Sequence, residues 1–132
     1  MRVGFVNGCF DLLHVGHIEM LEYAKSMCDH LVVAVDTDER VKQSKGPTRP
    51  FNNVNDRQRM LIALKAVDET VCFSTDEELT ATVKRHKPDI MVVGSDWENK
   101  RVIGSEHAKE LKFYRKIDGY STTKILEHSS SR

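Results

Sequence analysis

The stretch Val6-Asn7-Gly8-Cys9-Phe10-Asp11-Leu12-Leu13-His14-Val15-Gly16-His17 decides how the rest of the chain reads. A short apolar run, residues 3–6, precedes it and an amphipathic run, residues 18–27, comes after, so a strand hands over to a helix inside it. A helix start offers unpaired N–H groups and a partial positive charge, and Gly8 and Gly16 let backbone approach a bound group closely. His14 and His17 are three residues apart and share one face of the first turn. Two imidazoles beside a helix start suit a phosphate, and the opening loop, with Gly8, Cys9, Phe10 and Asp11, is the expected nucleotide-binding wall.

Working outward, residues 31–35 form a valine-rich apolar run, as expected of a strand buried on both faces. Asp36-Thr37-Asp38 closes it with short polar residues, of which Asp36 or Thr37 caps the next helix. The stretch from Lys42 to Pro50 holds two prolines, a glycine and three cations, and reads as an exposed basic loop at the ligand end of the sheet. Lys42, Lys45 and Arg49 are its candidate phosphate contacts. A helix capped by Asn55 or Asp56 is expected to run to about residue 66, with Met60, Leu61, Leu64 and Val67 facing the core. Arg57 and Arg59 fall in its first turn, where a cation opposes the helix dipole and needs solvent or an anion to offset it. One of them is therefore expected to face a phosphate.

Residues 70–73 read as a third strand, and Ser74 to Glu78 as a helix start with acids in the first turn. Residues 90–93 give a fourth buried strand, opening into Gly94-Ser95-Asp96-Trp97-Glu98-Asn99-Lys100. Gly94, Asp96 and Trp97 are candidate nucleotide contacts, because a lone tryptophan in a polar loop can flank a planar ligand. Residues 104–111 read as helical and 112–117 as a last short strand, before a turn at 118–120 and a final helix capped by Ser121 and Thr122. Hydroxyls at a helix start again suit ligand oxygens, and Gly119 belongs to the same turn. The expectation is a single domain over residues 1–128 with a frayed tail at 129–132.

Strands alternating with helices predict an α/β fold: a doubly wound parallel sheet of about five strands, Rossmann-like. Ligand loops then gather outside the carboxyl ends of the strands, where each of these motifs falls. The chain has 132 residues, and its 20 lysines and arginines match its 20 acids. That balance gives no global field to draw it onto nucleic acid or anionic membrane. No segment approaches about 18 consecutive apolar residues, and the first apolar run is too short for a secretory core, so a cytoplasmic protein is expected. Cys9, Cys28 and Cys72 lack paired spacing and read as reduced thiols, Cys72 as a core residue.

Histidines and cations around helix starts, with no nucleophile–base pair, suit direct displacement at phosphorus, in which the protein positions groups and stabilises growing charge. Asp11 is then a candidate for assisting a Mg²⁺ held chiefly by nucleotide phosphates, with a turn or capping bond as its other reading.

Gly8-Cys9-Phe10-Asp11-Leu12-Leu13-His14-Val15-Gly16-His17, with Ser121-Thr122-Thr123-Lys124-Ile125, resembles the cytidylyltransferase-type nucleotidyltransferases, the His-x-Gly-His enzymes related to class I aminoacyl-tRNA synthetases. The resemblance spans almost the whole chain. It implies transfer of a nucleoside monophosphate from ATP or CTP to a phosphorylated small molecule, release of pyrophosphate, Mg²⁺ and a homodimer. It also implies that His14 and His17 act at the α-phosphorus, that Lys42 or Lys45 and Arg57 hold phosphates, and that Ser121 and Thr122 contact the nucleotide. Lys45-Gly46-Pro47-Thr48-Arg49-Pro50 and Asp118-Gly119-Tyr120-Ser121-Thr122-Thr123 are similar to the adenylyltransferase domain of the bifunctional ADP-heptose synthesis enzymes. Residues 94–100 look more like bacterial glycerol-3-phosphate cytidylyltransferase. In that group an arginine stands where this chain has Lys116, with Arg115 one position away, which leans the reading to a sugar-phosphate acceptor. A binding module that keeps the pocket for regulation is the alternative of another class.

Overall fold

The computed structural model describes residues 1–115, in five parallel strands flanked by helices. Strand β1 is Val3–Gly8, β2 His30–Asp36, β3 Glu69–Phe73, β4 Ile90–Gly94 and β5 Glu110–Tyr114. Their order in the sheet is β3-β2-β1-β4-β5, so the chain reverses direction of growth at β1, and all four pairings are parallel. A crevice outside the carboxyl end of β1 results from that reversal. The expected Rossmann-like, doubly wound sheet is present.

Helices α1 (Val15–Ser26), α2 (Asp38–Lys45), α3 (Val54–Ile62) and α4 (Asp76–His86) supply the first three crossovers, and two short 3-10 turns lie in the β4–β5 connection. Alternation along the strands divides the core in two. Val6, Val33, Val35 and Val92 pack with Leu21 of α1 and Leu61 of α3 on one face. Phe5, Ala34, Phe73, Met91 and Val93 pack with Leu79 and Val83 of α4 on the other.

Several boundaries differ from the sequence reading, each for a physical reason. The basic stretch does not begin as a loop: Lys42 to Lys45 form the last turn of α2, where their charges complement the helix dipole, and the chain leaves the helix at Gly46 with φ 104°. Thr37, not Asp36, caps that helix, its Oγ accepting from the Arg40 N–H. Helix α3 is capped by Asn53 rather than Asn55 or Asp56, and it ends at Ile62. Met60 is exposed instead of buried, because Leu61 and the fully buried Arg57, four residues apart, set the inward face of α3. Residues 104–111 are not a helix: Gly104 sits at φ 82° before a single 3-10 turn, Ser105–His107, and β5 starts at Glu110. A Cβ on Gly104 would lie 2.8 Å from the Val83 side chain, so the turn packs directly on α4. Cys72 is exposed, since β3 is an edge strand. No described helix is long and apolar enough to cross a membrane. Lys116, the turn at Gly119, the final helix with Ser121 and Thr122, and the boundary at 128 lie outside the described residues.

Candidate active site

A cavity of about 780 Å³ opens at the carboxyl ends of β1, β2 and β4, within the size range of small-molecule sites. Its centre is the β1–α1 turn. His14 caps α1: the Gly16 N–H donates to its Nδ1 at 3.1 Å, and the His14 N–H donates to Nδ1 of His17 at 3.3 Å. Each imidazole thus accepts a backbone proton at Nδ1, which leaves Nε2 as the nitrogen carrying hydrogen. The rings stack with centroids 3.8 Å apart and 26° between planes. The expected shared face is real, and the backbone fixes both tautomers so that Nε2 is a donor, as an oxyanion requires.

Phe10 packs against this arrangement through His17. It is buried, holds φ 52°, a region that favours glycine, and its ring meets that of His17 edge-on at 5.2 Å. The ring also lies where a Gly8 side chain would stand, 3.0 Å from an added Cβ. Gly8 is therefore required for close packing of Phe10.

Asp11 fastens the basic loop. Its Oδ2 accepts from Arg49 Nε and the Phe51 N–H, and its Oδ1 from the Asn52 N–H, each at 2.9 Å. Burial alone would raise its pKa, but the Asn52 and Phe51 amides and Arg49 outweigh it and hold the carboxyl below the ordinary value. Both oxygens are engaged inside the protein, and no cluster of three or more His, Cys, Asp or Glu among the described residues is arranged to hold a metal. Asp11 thus does not fit the role of magnesium ligand; its chemistry is that of a loop anchor.

Arg57 departs furthest from expectation. It is fully buried and does not line the cavity. Its Nε donates to Asn52 O at 2.9 Å, its Nη1 to Cys9 O at 2.9 Å and Asp36 O at 2.7 Å, and its Nη2 to Asp38 Oδ1 at 2.8 Å. Three backbone carbonyls and the Asp38 carboxylate, not a phosphate, offset the charge at the start of α3.

Lys45 and Arg49 do line the cavity, with Arg49 also lying over the Phe51 ring at 4.7 Å, whereas Lys42 points elsewhere on α2 and is exposed. Gly94 and Trp97 line the β4 side, and the Lys100 ammonium sits 5.5 Å from the Trp97 ring centre. Cys9 lines the cavity too, and burial pushes its thiol pKa up, which argues against a nucleophile. Among the lining residues that escaped the sequence reading are Asn7, Asp36 and Arg40. Arg40 donates to Ser74 O and Asp76 and lies over the Phe73 ring. Burial raises the Asp36 pKa against the pull of Arg40, Lys45 and Arg57.

Imidazole donors at a helix start, cations lining the same cavity, and a parallel-sheet crevice define a nucleotide-handling α/β domain. The chain belongs to the cytidylyltransferase-like family, whose pattern matches residues 5–131. Among its relatives, the bifunctional protein HldE of Sulfurimonas denitrificans is 48% identical over 126 residues, covering 96% of this chain and 26% of that protein. HldE of Hyphomonas neptunium is 40% identical over 135 residues, 99% of this chain and 28% of the relative. The chain thus spans about a quarter of the length of these curated relatives. A lipopolysaccharide core biosynthesis protein from Thermoplasma volcanium superposes with a TM-score of 0.72 at 29% identity, over 89% of this chain and 99% of that one. Pantothenate synthetase from Thermus thermophilus shares the fold, with a TM-score of 0.60 at 16% identity over 96% of this chain and 64% of its own.

Proposed function

We propose that this chain is a nucleotidyltransferase that joins the nucleoside monophosphate of ATP to a sugar phosphate and releases pyrophosphate. The observation that carries the reading is the stacked His14–His17 pair, with Nε2 kept as donor by backbone N–H groups at both Nδ1 atoms, in one cavity with Lys45 and Arg49. The similarity to HldE over nearly the whole chain supports the sugar-phosphate acceptor. In the reaction a phosphate oxygen of the acceptor attacks the α-phosphorus; that P–O bond forms as the bond from α-phosphorus to the bridging oxygen breaks, and the electron pair leaves with pyrophosphate. His14 and His17 donate hydrogen bonds to α-phosphoryl oxygens as their charge grows, while Lys45 and Arg49 hold the flanking phosphates. Gly94 and Trp97 flank the base, with Asp96 in the same loop, and Ser121 and Thr122 are assigned to the nucleotide on their sequence motif alone. Magnesium accompanies the nucleotide in this proposal, and a cytoplasmic homodimer is the proposed setting.

CTP with glycerol 3-phosphate is the second reading, favoured by the Gly94–Lys100 sequence. Pyrophosphate release from each NTP, with Mg²⁺ and a panel of sugar and polyol phosphates, tests both. ATP with a heptose phosphate is the expected productive pair. His17→Ala is expected to lower turnover at least about a hundredfold with nucleotide binding kept. Nucleotide binding without turnover of any pair would instead establish a regulatory binding module.

A further inference from the structure

One side of the cavity lining forms an apolar compartment that phosphate chemistry does not explain. Phe73, Leu79, Val93 and Val102 wall it on the α4 side of the sheet. Two polar side chains enter that compartment by strand alternation: Asn7 lies two residues beyond Phe5 on β1, and Asp36 two beyond Ala34 on β2, with Phe5 and Ala34 both in the α4-side core. Asn7 pairs with Ala34 across the two strands, so Asn7 and Asp36 occupy diagonal positions on one face.

Both are acceptors in need of donors. Asn7 Oδ1 is buried without a hydrogen-bond partner, a condition native proteins rarely keep without a reason. The Asp36 side chain is 19% exposed, its ion pair is the 4.0 Å approach of Arg40 Nε, and no described side chain or backbone N–H donates a hydrogen bond to it. A carboxylate repels phosphate, and the other carboxylate lining the cavity among the described residues, Asp11, is already engaged by Arg49, Phe51 and Asn52. Arg40 also lines this side and approaches the carboxylate, but the group that meets Asn7 Oδ1 and Asp36 themselves must donate hydrogen bonds.

Resting on the nucleotidyltransferase reading, we propose that Asn7 and Asp36 recognise hydroxyl groups on the carbon skeleton of the acceptor, making this compartment the determinant of a polyhydroxylated substrate. Sheet order decides between acceptor and nucleotide. Trp97 comes after β4 on one side of β1, Asp36 ends β2 on the other, and the histidines lie between them. A nucleotide whose base is flanked by Trp97 therefore leaves Asp36 and the Phe73 and Leu79 side of the cavity to the acceptor. The Asp36 oxygens suit a pair of neighbouring hydroxyls, and the apolar walls suit the C–H faces of a sugar.

The test measures steady-state kinetics of the full chain with ATP and a heptose phosphate, and inhibition by inorganic phosphate. Asp36→Asn, nearly isosteric, is expected to raise the acceptor KM about tenfold or more, the scale of a charge-assisted hydrogen bond. The KM for ATP and the inhibition constant of phosphate stay within about twofold, since their contacts lie elsewhere. Asn7→Ala is expected to raise the acceptor KM while leaving the melting temperature unchanged or higher, because it removes an unpaired buried acceptor. A merely structural asparagine would lower it. If wild type releases no pyrophosphate from any pair, the activity reading fails. If wild type turns over but the variants keep the acceptor KM, this inference fails alone. A selective rise in KM for ATP would assign the compartment to the ribose, and a raised Mg²⁺ requirement would make Asp36 a cation ligand; either result overturns the proposal.

Discussion

Replacing Arg57 by lysine separates a clamp from a phosphate contact. The guanidinium makes four hydrogen bonds, to the carbonyls of Asn52, Cys9 and Asp36 and to the Asp38 carboxylate. Lysine keeps the charge but presents its donors from one point, so it cannot reach acceptors spread around a planar fork. About two of the four are then lost at about 1.5–3 kcal/mol each, reduced by relaxation to roughly 2–4 kcal/mol in all. For a domain of this size each kcal/mol moves the melting temperature by about 3–5 °C, so Arg57→Lys is expected to melt roughly 10 °C below wild type. Circular dichroism melts and urea midpoints read this directly. Because Cys9, Asp36 and Asn52 belong to three separate segments, and Cys9 and Asp36 line the cavity, kcat and both KM values should worsen together even in folded protein. A variant that melts within about 2 °C of wild type but binds ATP or acceptor several-fold more weakly would refute the clamp and restore Arg57 to the phosphates.

Three further perturbations come from the site geometry. Asp11→Asn places an amide N–H against donors from Arg49, Phe51 or Asn52 and is expected to cost about 1–3 kcal/mol at neutral pH. The folded pKa of Asp11 is depressed, so its stabilisation is complete above the ordinary 3.8 and is lost as pH falls through the lower folded value; melts from neutral to acid pH should show the wild-type advantage over Asp11→Asn shrinking below about 3.8. Phe10→Leu removes the edge-on contact with the His17 ring, worth about 0.5–1.5 kcal/mol, so kcat should drop by up to about tenfold with ATP affinity kept; an equal loss of ATP affinity would make Phe10 a nucleotide contact. Thr75→Ala breaks the capping box with Glu78 at the start of α4, at about 1 kcal/mol, and should lower the melting temperature without changing the acceptor's identity.

How much of the fold and site was legible in the residues depended on how local each cause was. The strand-to-helix turn, the shared face of His14 and His17, and the Thr75–Glu78 start depend on spacings of a few residues, and they stand as expected. Arg57 was misread because the helix dipole says only that a cation near the start of α3 needs compensation. It does not say whether solvent, a ligand or distant carbonyls supply it, and here Cys9 O is 48 residues away in sequence. The same limit applies to Asp11, whose partners stand 38 to 41 positions along the chain. Residues 104–111 misled for another reason: their composition suits a helix, but packing of Gly104 against Val83 takes the chain into a turn and then an edge strand.

Asp36, by contrast, was within reach of a local argument. As a short polar residue at the end of a buried run it invited a capping role, which its neighbour Thr37 performs. Yet Val32, Ala34 and Asp36 fall on one face of β2 by the two-residue period, and the first two are fully buried on the α4 side. Counting forward from them places a carboxylate where the next core residue would stand. The same count from Phe5 places Asn7 beside it on β1. A strand that ends in a polar residue still in phase with its buried face delivers that group into a cavity, whereas one out of phase delivers a cap. Phase along β1 and β2, rather than residue type, therefore distinguishes the side chains that meet a substrate from those that finish a strand.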